Sequence, residues 1–277
     1  MRLSIALSPV KSSFAPLLFS GDILKGMSRA AAFGYEGVEL NIRDVSQEPL
    51  DDIIRHARRE HLDIVALGTG QSYLTDGLSI LSPDPDVRNR LMSRLHAHID
   101  FGSRTGAKLI LGGVFGKLEG DSSQRESERC EALNVVGAIA EYAAHAGVGI
   151  VIEPINRYET NFLNTIEQTL TFISKLGCSG VKVLPDTFHM NIEEADPWAA
   201  VAQAGEMVGH VHVADSNRMS PGSGHIDFAG LVRMLESIQY HGYLSGEFLP
   251  LPDDETAARD NIRRMQRIME CKVEESG

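Results

Sequence analysis

Four apolar runs in this chain each stop on, or carry, a side chain that can bind a cation or move a proton. VGIVIE ends at Glu153, VKVLPD at Asp186 and YLSGE at Glu247, while GHVHV carries His210 and His212. Side chains alternate along a strand, so Val151 shares a face with Glu153, Leu184 with Asp186, His210 with His212 and Ser245 with Glu247. If those faces point inward, three carboxylates and one or two imidazoles converge, and the like charges repel unless something neutralises them. A divalent cation is the natural neutraliser. The set Glu153, Asp186, His212 and Glu247 is oxygen-rich, with one nitrogen and no thiolate. It suits Mn2+ first, with Mg2+ or Co2+ as alternatives, better than a structural zinc.

Any one of these residues alone has a plainer reading. A single carboxylate at a strand end is commonly a helix cap or a surface charge. His210 lies one pleat deeper than His212 and reads as a core histidine or a support for a ligand. Lys182 has inward parity near the barrel floor, where an internal ion pair is expected. Phe188 and Met190 read as packing, and Glu193-Glu194 as a solvated helix start. Four independent strands each ending in a ligand-type residue are harder to explain blandly.

The elements that must position these residues are short and regular. Strands are expected at 3–7, 37–40, 63–67, 109–111, 149–152, 181–184, 210–213 and 243–246. Amphipathic segments at 50–60, 86–105, 126–146, 166–175, 198–204, 228–237 and 255–270 lie between and after them. Alternation at this spacing predicts a single (β/α)8 TIM barrel spanning 1–277, whose catalytic face is the C-terminal end of the strands. A doubly wound sheet would show a glycine-rich phosphate turn after its first strand, whereas Ser8-Pro9-Val10-Lys11-Ser12 follows here. Glycines in AAFGYEGVEL, SRTGAKLIL, AHAGVGIVI, KLGCSGVKV and YHGYLSG are placed to cap a helix before the next strand.

Composition narrows the partners. In 277 residues, 38 acidic side chains outnumber 26 basic ones, for a formal charge of -12, so nucleic acid is disfavoured. No run of 18 uncharged apolar residues is present, so no membrane span is expected. Cys130, Cys178 and Cys271 are far apart and in no CxxC spacing, which points to a reducing compartment and a cytoplasmic protein. A homo-oligomer, dimer or tetramer, is the expected assembly.

The segments IEPINRYETNFLNT, LPDTFHMNIEE, GHVHVADSNRMSPGSGHIDF and GEFLP, with SPDPDVRNRL as weaker support, resemble the sugar isomerase/epimerase superfamily of xylose-isomerase-like barrels, and most closely its ketose 3-epimerases. The resemblance implies a metal-dependent ketose 3-epimerase with a small-molecule sugar as substrate. It makes Glu153, Asp186, His212 and Glu247 the metal ligands and Glu153 with Glu247 the acid/base pair. Glu159, His189 and Arg218 become the groups that hold the substrate's oxygens, and each position carries the expected residue type. The far end of the sugar is expected against Ser8, Lys11, Gly68, Thr69 and Phe115, where the aromatic-rich first loop of the family is absent.

Three other readings compete. An aldose-ketose, hydroxypyruvate or inosose isomerase would use the same metal site, although Arg157-Tyr158-Glu159 and Asp186-Thr187-Phe188-His189 look like epimerase versions of those motifs. An AP-endonuclease-like barrel needs extra histidines on the third and fourth strands, which here end in VALGTG and LILGGVF. A non-catalytic sugar-binding barrel would tolerate the loss of a ligand, and none is lost.

Overall fold

The computed structural model describes residues 1–11 and 15–271; Ser12 of the first loop lies outside the described residues. The chain folds as a (β/α)8 barrel of eight parallel strands. In chain order these elements are β1 (Arg2–Leu7), α1 (Ile23–Phe33), β2 (Gly37–Asn41), α2 (Leu50–Arg59), β3 (Asp63–Gly68), α3 (Gly70–Asp76), α4 (Pro85–Thr105), β4 (Lys108–Leu111) and α5 (Ser122–His145). There follow β5 (Ile150–Ile152), α6 (Ile166–Leu176), β6 (Val181–Val183), α7 (Thr187–Glu193), α8 (Pro197–Ala204), β7 (Val211–Val213), α9 (Phe228–Ser237), β8 (Tyr243–Gly246) and α10 (Asp254–Glu270).

Successive strands pair around the barrel, and β1 closes onto β8 with Arg2 opposite Tyr243. Among the described residues β6 and β7 share no continuous ladder. Two isolated parallel bridges close that seam, Val183 with Val208 and Asp186 with His212. The N–H of Gly209 donates to the Val183 carbonyl at 2.8 Å and that of His212 to the Pro185 carbonyl at 2.9 Å.

Local chemistry explains the element ends. Asp121 caps α5 in a reciprocal box with Gln124, and Pro85 opens α4 behind the cap Asp84. Gly34, Gly106, Gly147 and Gly177 adopt the left-handed backbone expected of them. Gly242 does not. At that corner Gln239 turns left-handed (φ 56°), and a Cβ on Gly242 would lie 2.3 Å from the Tyr240 hydroxyl oxygen. Close approach, rather than helix capping, therefore requires that glycine.

A large apolar layer lies between strands and helices, and a smaller cluster, Val65, Ala66, Ile110, Val151, Leu184 and Tyr243, fills the barrel. This plug sits one pleat below the polar mouth: Val151 lies under Glu153 and Leu184 under Asp186. At the floor Lys182 has the expected inward parity, but its Nζ donates to the Glu206 carbonyl at 2.7 Å in place of an ion pair with any described residue. Lys108 does likewise to Gly209 at 2.5 Å, so cationic stems close the bottom by binding carbonyls.

Candidate metal centre and substrate cavity

Each strand end fixes one donor. Glu153 follows β5 directly, and its N–H still donates to the Leu111 carbonyl at 2.9 Å, which holds the side chain at the mouth. Gly112 of the neighbouring turn makes room for it, since a Cβ there would lie 2.4 Å from Glu153 Oε2. Asp186 does two jobs. Its Oδ1 caps α7, accepting from the N–H of Phe188 at 2.7 Å and of His189 at 3.4 Å, which turns Oδ2 toward the barrel axis. Glu247 follows β8, its N–H on the Val213 carbonyl at 3.3 Å.

These four side chains meet. His212 Nδ1 is 3.0 Å from Glu153 Oε1, 3.4 Å from Glu247 Oε2 and 3.7 Å from Asp186 Oδ2. One ligand atom from each of the four residues lies within 4.8 Å of all the others. Three carboxylates and one imidazole nitrogen at this separation fit a hard divalent cation.

The charges are strongly coupled. Burial lowers the basicity of His212, but Glu39, Glu247 and Glu153 around it overcome that and hold the imidazolium well above its ordinary range. Burial is also the largest influence on Glu153, and it leaves that carboxyl raised even though His212 opposes it. Asp186 goes the other way. Burial would raise it, yet Arg218, His189 and His212 keep it well below the usual carboxylate range. Arg218 bonds Asp186 Oδ2 at 2.6 Å, pairs with Glu247 and lies 4.8 Å above the Phe188 ring. Phe188 is thus a platform for the guanidinium as well as packing.

The loop that carries Arg218 is built on Asp215. Its buried carboxylate accepts from the N–H of Ser216, Gly222 and Ile226 at 2.8, 2.6 and 3.2 Å. Its carbonyl accepts from the N–H of Arg218, whose own backbone is left-handed at φ 60°. Backbone amides converging on one carboxylate make this turn rigid, and the arginine is aimed by it.

Glu39 on β2 is the residue that the sequence reading missed. It is fully buried and accepts from His212 Nε2 at 2.9 Å and His210 Nε2 at 3.1 Å, while Asn41 Nδ2 donates to its other oxygen at 3.1 Å. Desolvating a carboxylate costs several kcal/mol, and these imidazoles offset it, holding Glu39 well below its ordinary range. The consequence falls on His212. With Nε2–H held by Glu39, Nδ1 is the nitrogen turned toward Glu153, Asp186 and Glu247, so Glu39 sets the ring's orientation. His210 is accordingly a brace for Glu39. Replacing Glu39 with Gln should weaken Mn2+ binding by about 10- to 100-fold with the fold intact. Titration calorimetry and circular dichroism on one preparation check this, and unchanged affinity would remove Glu39 from that role.

The expected substrate groups lie at the same mouth. Glu153, Glu159, His189, His212, Arg218 and Glu247 all line a cavity of about 120 Å3. His189 Nδ1 accepts from the Asn156 backbone N–H at 3.3 Å, a group that can only donate, so the ring's proton is on Nε2, 4.0 Å from Asp186 Oδ2. Asn156 Nδ2 donates to Glu159 Oε1 at 2.7 Å, tying the two together.

The far wall differs from the expectation. Gly68 and Thr69 line the cavity, but Ser8, Lys11 and Phe115 do not. Ser8 is fully buried with its hydroxyl on the Asn41 carbonyl, and Phe115 packs edge-on against Phe172 in the outer core. Ala15, Pro16, Leu17, Asn41, Gln71 and Leu74 take their places. Glu193 also differs: it ends α7 and holds Arg157 through the backbone N–H and guanidinium, while Glu194 accepts from the Ile166 N–H. Both bind the β5–α6 loop in place, and neither is a solvated helix start.

With this geometry in hand, comparison with known proteins is informative. A family model described as a xylose isomerase-like TIM barrel matches residues 27–268. The D-psicose 3-epimerase of Enterocloster bolteae is 30% identical over 229 residues, covering 80% of this chain and 75% of that one. The L-ribulose 3-epimerase of Methylomonas sp. (strain DH-1) is 30% identical over 243 residues, covering 83% and 82%. Among solved structures, the D-allulose 3-epimerase of Methylomonas sp. in complex with D-allulose superposes with a TM-score of 0.81 at 26% identity, covering 96% of this chain and 97% of that chain.

Proposed function

This chain belongs to the xylose isomerase-like TIM-barrel family and is an isomerase, and on that premise we propose that it is a metal-dependent ketose 3-epimerase inverting C3 of a free ketose. The observation that supports it most is the convergence of Glu153, Asp186, His212 and Glu247 within 4.8 Å, with two of the carboxylates on strands flanking the β6–β7 pair.

A divalent cation held by those four residues supplies Lewis acidity toward the substrate's carbonyl. The chain's own groups do the rest. One of Glu153 and Glu247 takes the C3 proton; the C–H electron pair becomes the C2–C3 double bond as the C2=O2 π pair moves onto O2, giving an enediolate. The other carboxyl returns a proton to the opposite face of C3. In the reverse direction the two exchange roles. Arg218 and the His189 Nε2–H donate to the substrate's oxygens, and the Asn156–Glu159 link holds His189 in the donating tautomer. Mn2+ is the cation we favour, with Mg2+ or Co2+ as substitutes, because the donors are mostly oxygens. The unpaired cysteines support a cytoplasmic protein, and no helix among the described residues is long and apolar enough to cross a membrane. A dimer or tetramer is the assembly we expect.

The test is a panel of ketoses incubated with protein and Mn2+ in D2O. The expected product is the C3 epimer carrying one deuterium at C3. Exchange at C1 with aldose formation would replace this reading with an aldose-ketose isomerase.

The cavity's charges also bear on phosphate. Arg218 is the only arginine or lysine among the described residues that line it, and it is engaged by Asp186 and Glu247, while His212 is held among Glu39, Glu153 and Glu247. Beyond β8, Asp253 caps α10 and Asp254 accepts from the Phe19 N–H, an acidic edge. A free ketose should therefore show a kcat/KM at least about tenfold above that of its terminal phosphate, since a phosphate at this edge meets like charge without a partner. A preference for the phosphate that Lys11→Ala abolishes would overturn this.

A further inference from the structure

The cavity divides by chemistry as well as by position. Every charged group that lines it, apart from the Glu39 buried behind His212, comes from β5 to β8 and the loops that follow them, where the reacting end of the sugar must sit. Among the described residues, the opposite side, built by β1 to β4 and their loops, is otherwise neutral. Ala15, Pro16, Leu17 and Leu74 form its apolar wall, and two amides, Asn41 and Gln71, are its uncharged hydrogen-bonding side chains along with Thr69.

The neighbours of these groups decide what each can still offer. Thr69 donates its hydroxyl to the Ile110 carbonyl at 2.6 Å, which engages it in the scaffold. Gln71, on the first turn of α3 and only 8% exposed, accepts from the Thr75 hydroxyl through Oε1 at 3.3 Å. Its amide hydrogens on Nε2 are then the donor left for the cavity. Asn41 is the complement. Its Nδ2 is held by Glu39, so Oδ1 remains as an acceptor. Gly68 gives that oxygen its room, because a Cβ there would come within 1.9 Å of it.

A donor and an acceptor set in an apolar wall match a hydroxyl, which both accepts and donates. They do not match a phosphate or a carboxylate, which would face Asn41 Oδ1 with like polarity. We propose that Gln71, with Asn41, reads the hydroxyl on the sugar's terminal carbon and so determines which ketoses are accepted. The inference rests on the ketose 3-epimerase reading above and deepens it. A substrate lacking that hydroxyl leaves both amides unpaired in a confined site, and the loss falls on kcat/KM.

The experiment compares sugars within one preparation. With Mn2+, kcat/KM is measured for D-psicose against 6-deoxy-D-psicose and for L-ribulose against 5-deoxy-L-ribulose, in the wild-type protein and in Gln71→Met. For the better substrate of the two, wild type should favour the hydroxylated sugar by at least about tenfold, and Gln71→Met should bring that ratio to within about threefold of unity. Both sugars meet the same sample, so partial misfolding of the variant cancels from the ratio. Absence of discrimination in wild type, or its full retention in Gln71→Met, overturns the assignment of Gln71 while leaving the epimerase reading in place. Failure of wild type to exchange the C3 proton of any of the four sugars would overturn both.

Discussion

Glu153→Gln and Glu247→Gln should each lower epimerisation by a factor of at least about 10² at saturating Mn2+, with a much smaller change in KM. The two proteins should also fail differently in D2O. If each carboxylate serves one face of C3, a variant that has lost one base can still remove and return the proton on the other face. It then washes deuterium into one epimer without inverting it and leaves the second epimer untouched. The other variant should show the complementary pattern, and the double variant should exchange neither. Because both residues also belong to the donor set, metal content must be measured on the same samples. Full exchange of both epimers by the double variant would require a different base.

Metal binding should collapse in His212→Ala and Asp186→Asn, by at least about 10²-fold, the upper end of what losing even an outer-sphere partner costs. Asparagine is the sharper choice at position 186. It keeps Oδ1 as the cap of α7, so it separates ligand loss from the roughly 1 kcal/mol that an uncapped helix would lose. The pH dependence has a definite sign. Without metal, His212 Nδ1 faces three carboxylates and the ring's pKa is raised, while burial raises that of Glu153. Protons therefore hold positions that a cation must take. Below those raised values binding releases protons and affinity falls as pH falls, by about tenfold per pH unit for each proton released. Calorimetry in buffers of different ionisation enthalpy counts the protons, and zero release between pH 6 and 7 would contradict this description.

The strand-end residues could be read from sequence because a strand imposes alternation: once Val151 is inward, Glu153 must be. The same rule was available for Glu39. In GVELN the positions Gly37, Glu39 and Asn41 share a face opposite Val38 and Leu40, but an acidic residue on an alternating strand also looks like a solvent-facing one. Only closure of the barrel turns that face inward. Loops follow no such rule, and that is why Ser8 and Phe115 were placed in the cavity while Gln71 was passed over. Short helices were invisible for the same reason: α3 and α7 have seven residues each, barely two turns of periodicity. α1 is broken in sequence by Gly26, which is there because a Cβ would come within 2.9 Å of Phe19 Cβ.

The seam between β6 and β7 has a mechanical meaning. Elsewhere among the described residues a hydrogen-bonded ladder of three or more residue pairs joins neighbouring strands, but here two isolated bridges do so, and one of them, Asp186 with His212, joins two members of the donor set. A cation held by that set would therefore act as a stitch across the least paired join of the barrel as well as a reagent. Binding to the folded state alone adds about 2.7 kcal/mol of stability at a free concentration 100 times Kd. Chelation should then loosen the molecule unevenly, with the amides of Gly209 and His212, which cross the seam, exchanging with solvent ahead of those on β1 and β2. A cell short of the metal would have a barrel beginning to open along one edge, so that scarcity of the cofactor would be felt as turnover of the protein as well as loss of its chemistry.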